Sequence, residues 1–225
     1  MIQLQSLVGH EPENISLSIT IQSALSIGAG GSSGSLADKP MIRKTNGQLI
    51  IPASHLKGRL RHECEKIARG LGWEICESPQ ADSMCPSSHH QPEHHCLACQ
   101  IFGSPSLPSR LLFDDLVCPL TDSTFFEVLR PGVTINRRRK VAEDQKLYFL
   151  ETSPQNAKLS FTGSIQLQPG YPEQTIPLVL AGLSLIRALG GSKSSGLGWI
   201  AVNSQDFPTP TETDWFKLLP KRGEG

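Results

Sequence analysis

Net charge is missing from this chain. Its 21 Lys and Arg are matched by 21 Asp and Glu, so the formal charge at neutral pH is zero. A uniformly basic coat for nucleic acid is therefore excluded, and the distribution of charge becomes the question. Long apolar runs are missing as well. No stretch approaches the ~20 residues needed to span a bilayer, and Met1 to Asn14 has neither the basic start nor the apolar run of a secretion signal. A soluble cytoplasmic protein with no membrane partner is expected. Aromatic residues are only 6% of the chain, and its strand-like segments lack a pair of stacking aromatics, which disfavours an ordinary RNA-recognition sheet. Cysteine is sparse and irregularly placed. In a chain without a secretion signal, that favours metal ligation over disulfides.

What is present suffices for one elaborated domain of 225 residues. The basic residues are clustered. Lys39 to Arg69 holds eight Lys or Arg against two Glu, and Arg130 to Lys146 holds six against two acids. Two basic surfaces suited to phosphates can thus hide inside a neutral total, with an acidic remainder that discourages nonspecific sticking.

Ile15, Leu17, Ile19 and Ile21 alternate with polar residues and predict a half-buried strand. A Gly/Ser-rich loop follows over Gly28 to Ser35. Ser54 is placed to cap a helix whose apolar stripe is Leu56, Leu60, Cys64, Ile67 and Leu71, which makes Cys64 a packed thiol rather than a ligand. Gly72 to Pro108 reads as an irregular insertion. Leu111 to Val117 predicts a second strand, and Gly132 to Phe149 a projecting basic hairpin. Leu159 to Leu167 predicts a third strand, Ile176 to Leu189 a buried helix stopped by Gly190 and Gly191, and Leu197 to Val202 a last strand. Without insertion and hairpin the order is β-α-β-β-α-β, an α+β fold of the ferredoxin-like (RRM-like) kind.

Two glycine-rich stretches differ in information. Gly28 to Gly34 has the wrong spacing for a dinucleotide loop and no helix follows it. Gly190-Gly191-Ser192-Lys193-Ser194-Ser195-Gly196-Leu197-Gly198 lies between a buried helix and a final strand, where backbone N–H groups and Lys193 suit a phosphate. The insertion is the metal signal. Cys85, His89, His90, His94, His95, Cys96 and Cys99 fall within fifteen positions, and Cys96-x-x-Cys99 is the spacing by which two thiolates share one tetrahedral zinc. Cys85 and one imidazole close the shell. His90 is assigned, with His89, His94 and His95 left open and Cys76 able to replace either partner. A closed shell implies structural zinc, supplying stability that a segment poor in apolar residues lacks.

These pieces in this order resemble the RAMP superfamily, and within it the Cas7/Csm3 backbone subunits of type III CRISPR effector complexes. Leu25 to Gly30 looks like the family's glycine-containing end of the first strand. Asp38-Lys-Pro-Met-Ile-Arg43 with Ile51-Pro-Ala-Ser-His-Leu-Lys-Gly-Arg-Leu-Arg61 is similar to its D-x-P-x-x-R and I-P-G-S-S-L-K-G-x-L-R signature. Cys96 to Ser104, followed by Leu112-Phe-Asp-Asp115, resembles C-x-x-C-x-x-F-G-S and F-x-D. Gly132 to Arg137, with Ala142 and Leu147 to Glu151, resembles the thumb hairpin, and Leu189 to Gly198 the terminal L-G-G-x-K-x-x-G-x-G loop. The match runs over about residues 15 to 203. Ser26 stands where many members have histidine, Ala53 replaces a glycine, and Asn136 replaces a common aspartate.

The resemblance implies a single RAMP/Cas7-like domain over residues 1–225, with a lid insertion at about 72–110 and a thumb at about 130–152. It implies stacking along a guide (CRISPR) RNA beside other Cas7-type, Cas5-type, Cas10 and small-subunit proteins, with target RNA paired to the guide and interrupted by each thumb. It also implies metal-dependent cleavage of that target through the RNA's own 2′-hydroxyl, with Asp38 as the catalytic carboxylate and a divalent cation such as Mg²⁺. Ser54, Lys57, Arg61, Arg137, Gly191, Lys193, Ser194 and Gly196 are the expected RNA contacts, held to the backbone while base pairing reads sequence. A catalytically inactive guide-RNA scaffold and a Cas6-like guide-processing endoribonuclease are the alternatives within the superfamily. A zinc-containing RRM-type binder outside CRISPR is the third.

Overall fold

The structure, a computed structural model, describes residues 13–28, 37–86, 95–119, 128–155, 157–203 and 211–220. Strand β1 (Glu13–Ile21) buries Ile15, Leu17, Ile19 and Ile21 on one face, as the alternation demands. It lies antiparallel between β7 (Ser160–Leu167) and β8 (Ile200–Asn203), with Ile15 opposite Ile165 and Ile19 opposite Phe161. The predicted second strand is broken at Asp114 and Asp115 into β3 (Leu111–Phe113) and β4 (Leu116–Val117). Both pair with β7, and β4 also pairs with the short β2 (Ile50–Ile51). The resulting six-stranded antiparallel sheet runs β2-β4-β7-β1-β8, with β3 beside β7.

Helices α1 (Ala53–Gly70) and α3 (Thr175–Leu185) pack together, and their residues Leu56, Leu60, Cys64, Leu178, Val179 and Leu183 join one core with the inner faces of β1 and β7. Cys64 is wholly buried and donates from Sγ to the Leu178 carbonyl at 3.4 Å. Burial pushes its thiol pKa far up, so it is a packed thiol, as its place in the stripe implies. The helices approach so closely that a Cβ on Gly182 would lie 2.6 Å from Cys64 Sγ and 2.9 Å from Leu60 Cδ1. Gly182→Ala is therefore expected to destabilise the protein by about 1–3 kcal/mol, the usual cost of overpacking. Denaturant unfolding checks this, and adding Cys64→Ala should recover part of the loss.

Helix α3 ends four residues before the predicted stop. Ile186 is already extended, Ala188 bridges Trp199, and Leu189 N–H donates to the Gly198 carbonyl at 2.9 Å. Apolar content alone does not separate a buried helix from the buried extended segment that follows it.

The insertion is less detached than its composition suggests. Its second half folds as α2 (Leu97–Phe102), which packs on α1 and places Leu97, Ile101 and Phe102 in the main core. Burying Phe102 alone is worth about 1.5–3 kcal/mol. The following Gly103 has φ +88°, and a Cβ there would meet Ser109 N at 2.9 Å. Phe102 and Gly103 of the Phe-Gly-Ser element are thus an anchor and a turn.

The basic segment forms a separate two-stranded sheet of β5 (Val128–Asn136) and β6 (Val141–Thr152), with a register shift between Val133 and Ile135. A short α4 (Glu212–Phe216) follows the last strand. Among the described residues, no helix is long and apolar enough to cross a membrane.

Candidate nucleic-acid interface and metal centre

The segment Ala24 to Gly28, just after β1, is where three distant parts of the chain meet. On one side it pairs with the loop that carries Asp38: Gly28 bridges Met41, and Ile42 N–H donates to the Ile27 carbonyl at 2.9 Å. The same segment holds the foot of the hairpin, through Leu25 N–H to Ser153 Oγ and Ser153 N–H to the Leu25 carbonyl, both 2.9 Å. It also holds the terminal glycine loop, through Gly191 N–H to the Ser26 carbonyl and Gly198 N–H to the Ala24 carbonyl, both 2.8 Å.

Asp38 is exposed and sits against the foot of β6. Its Oδ2 accepts the Phe149 N–H at 2.7 Å, its own N–H donates to the Phe149 carbonyl, and Lys39 bridges Leu150. Beside it, buried Glu151 accepts from Met41 N–H at 2.9 Å and pairs with Arg43 at 3.0 Å. The Asp and Arg of the first signature and the Glu that closes the hairpin motif are thus one local network. It fixes the hairpin's foot beside the Asp38 loop.

At the helix start the expected cap is corrected. Pro52, not Ser54, is the N-cap residue, and the Ala53 N–H donates to Asp115 Oδ1 at 2.8 Å. Ser54 lies one residue further in, on an exposed position, with half-buried Lys57 a turn later. The Ala53 N–H at the helix terminus thus already holds a carboxylate. Burial, and then the Arg61 guanidinium, lower the pKa of Lys57.

In the glycine loop the N–H groups of the four glycines are engaged within the chain. Gly190 N–H donates to His55 Nε2 at 2.9 Å, Gly191 N–H to Ser26, Gly196 N–H to Lys193 and Gly198 N–H to Ala24. None of these four N–H groups is left over for a phosphate. Gly198, at φ +72°, is required because a Cβ would lie 1.8 Å from the Leu189 carbonyl oxygen. The loop instead projects Lys193 and Ser194 from an exposed 3-10 turn, Lys193–Ser195.

His55 carries no motif of its own in the sequence, yet it ties the α1 start to this loop. Burial lowers its pKa below 6.5, with Lys193 and then Arg59 adding to the shift. The bond from Gly190 needs a neutral acceptor nitrogen. Its contribution to stability is therefore present above pH 6.5 and is lost as pH falls through the lowered pKa. His55→Gln is expected to shrink the stability difference between about pH 7.5 and about pH 5 in denaturant unfolding. Equal losses in both proteins would put the acid sensitivity elsewhere.

Arg61 lies near Lys57 but directs its donors elsewhere. Its Nε pairs with Glu65 at 2.8 Å, one terminal nitrogen donates to the Gly103 carbonyl at 2.9 Å, and the other reaches Cys99 Sγ at 3.5 Å. Arg137, by contrast, is exposed in the turn at the hairpin tip. Asn136 builds that turn, its Oδ1 accepting the N–H groups of Arg138 and Arg139 at 3.1 and 3.0 Å. Asparagine serves there as well as aspartate.

The cysteines form a second centre. Cys76, Cys85, Cys96 and Cys99 are buried, and their four Sγ atoms lie within 4.8 Å of one another. Cys76 is 3.5 Å from Cys99 and 3.6 Å from Cys96. The edge of a tetrahedron with ~2.3 Å metal–sulfur bonds is about 3.8 Å, so the four thiols are placed to share one metal ion. Among these crowded sulfurs the Cys96 thiol is held down at about 4, by hydrogen bonds from the Cys99 thiol first and then from Cys76 and the Cys99 main chain. Cys76, left open beside His90, supplies the fourth thiol of the cluster. His90 lies outside the described residues, as do His89 and His94, while His95 is turned to Ser106 Oγ at 3.1 Å.

The sequence pattern of the RAMP superfamily matches residues 18–201. The chain belongs to the RAMP superfamily. Its fold is similar to a chain in a solved structure described as the cryo-EM structure of the type III-B Cmr-beta bound to cognate target RNA. Identity is 16%, the TM-score is 0.58, and the match covers 86% of this chain and 59% of that one. The RAMP chain therefore spans about three-fifths of that relative's length. In all, 189 chains of solved structures match. No curated protein sequence does.

In this RAMP protein the residues that sequence reasoning missed are His55, Asp115 and Glu151; Cys76 already stood open as an alternative ligand. Asp115 and Glu151 stand inside the quoted motifs, so the signal was there but carried no partner. His55 also stands inside a quoted motif, Ile51 to Arg61, but nothing there pointed to the glycine loop.

Proposed function

We propose that this chain is a guide-RNA-binding backbone subunit of a type III CRISPR interference complex and cuts target RNA in the guide–target duplex. The observation that carries the reading is the convergence on Ala24 to Gly28. Asp38 with the hairpin's foot lies on one side, and the loop of Lys193 on the other, all held by main-chain hydrogen bonds. Membership of the superfamily over residues 18–201 and the fold shared with a chain from an RNA-bound type III-B complex support it. On this reading the partners are guide RNA, target RNA and the other subunits of the complex. The order β8-β1-β7-β4, with α1 and α3 packed on it, is a ferredoxin-like core, residues 72–110 are a lid, and hairpin β5–β6 is the thumb.

Ser54, Lys57, Lys193 and Ser194 hold guide phosphates, and Arg137 at the hairpin tip meets the duplex. Lys57→Ala and Lys193→Ala are each expected to weaken RNA binding and lower its salt slope by about 0.7–1 unit for each phosphate left without its cation. Anisotropy titrations across salt check this, and an unchanged slope in the double variant would remove these lysines from the interface.

In the cutting step the 2′-hydroxyl attacks the adjacent phosphorus and the 5′-oxygen of the next nucleotide leaves, taking a proton from solvent water, which gives a cyclic phosphate and a new 5′-hydroxyl. The protein aligns the nucleophile and takes its proton at Asp38. Among the described residues no group of three acidic or histidine ligands surrounds Asp38. A hydrated Mg²⁺ held by one carboxylate plus RNA phosphates fits that donor set, and would supply charge neutralisation. A scaffold without cleavage is the second reading. The Asp38–Phe149 bond favours it, because that bond alone gives the carboxylate a structural task.

For the cysteine centre we propose structural zinc. Four buried thiols, with no open position, are the donor set of a closed tetrahedral site.

A further inference from the structure

Two arginines of helix α1, Arg61 and Arg69, flank the cysteine centre. Arg61 donates to Cys99 Sγ at 3.5 Å and to the Gly103 carbonyl at 2.9 Å, while Glu65 pins its Nε at 2.8 Å. Arg69, two turns later, donates to the Cys76 carbonyl at 2.9 Å. The guanidinium fork is thus spread over one sulfur ligand and the end of the helix that carries two of the four. Lysine, with a single point of charge, does not span three such groups.

A tetrathiolate around a divalent ion carries two negative charges in a buried place. Donors to its sulfurs and a nearby cation lower that cost. The geometry points to Arg61 as the outer-shell positioning residue of the metal centre: its N–H···S bond and its hold on Gly103 set how tightly the thiolates keep their ion. This rests on the metal reading of the four cysteines. It also explains why the Arg that ends the first signature lies close to Cys96 to Gly103 in space: α1 and the lid are joined there by a polar fork rather than by packing alone.

The test uses the full chain, loaded with zinc or with cobalt(II) as a spectroscopic substitute. Relative to wild type, Arg61→Met is expected to release zinc to a competing chelator about 10–100-fold more readily. It should also move the sulfur-to-cobalt charge-transfer band to lower energy, since a thiolate that loses an N–H donor gives up charge more easily. Arg61→Lys keeps the charge and the stem, so it guards against a variant that fails to fold, and it should show a smaller shift in the same direction. A loaded wild type whose Arg61 variants have the same band and release rate overturns the proposal while leaving the metal reading standing. Reduced RNA affinity with unchanged metal retention would return Arg61 to the RNA face. A wild type that binds neither ion overturns both.

Discussion

Asp38→Asn and Asp38→Ala are both expected to lower target cleavage by ~10²–10⁴-fold, the usual cost of losing a general base. Paired variants are needed because Asp38 does two things. Its Oδ2 accepts the Phe149 N–H at 2.7 Å and so helps fix the foot of the hairpin. Asparagine keeps an oxygen for that bond but has no carboxylate to take a proton. Alanine loses both. If the carboxylate is chemical, the two variants fail alike while guide binding and assembly persist. If Asp38 only pins the hairpin, the Asp38→Asn variant cleaves nearly as wild type and the Asp38→Ala variant alone is impaired. The scaffold reading is then the better one. Where other cutting copies share the complex, only the cuts beside this subunit should disappear from the product ladder.

Cys76→Ser is expected to have the largest effect on stability. Structural zinc sites are worth roughly 10–16 kcal/mol of apparent binding free energy at neutral pH, and loss of a ligand should exceed the ~10–100-fold cost of an outer-shell change. Wild type should hold about one zinc per chain after dialysis against a mild chelator, and Cys76→Ser should hold far less, with a lower unfolding temperature. His90→Ala should keep its zinc. Retention by Cys76→Ser together with loss by His90→Ala would restore the imidazole as the fourth ligand. Because Leu97, Ile101 and Phe102 stay buried in the main core, α2 should remain docked in the Cys76→Ser variant, and the damage should fall on the Cys76 to Cys85 stretch.

Local patterns explain why much was legible without a structure. Alternation over Ile15 to Ile21 and the stripe from Leu56 to Cys64 follow directly from side-chain periodicity, and both are buried as their periods require. The basic segment could be read as a hairpin because its two strands are adjacent in the chain and joined by a four-residue turn. Cys96-x-x-Cys99 fits on one turn of a helix start, so its spacing alone was enough.

What only the tertiary structure decided are meetings between residues far apart in sequence. Asp115 caps α1 at Ala53, Glu151 binds Arg43, Asp38 binds Phe149, and Arg61 reaches Cys99. Cys76 joins the cluster because the chain folds back over twenty residues to bring its sulfur to the Cys96 pair. The end of α3 was settled likewise, by pairing of residues 187–189 with 198–200. Periodicity and spacing report which face a side chain takes on its own element. Partners are set by where the sheet order β8-β1-β7-β4 carries each element's ends, and no local pattern encodes that.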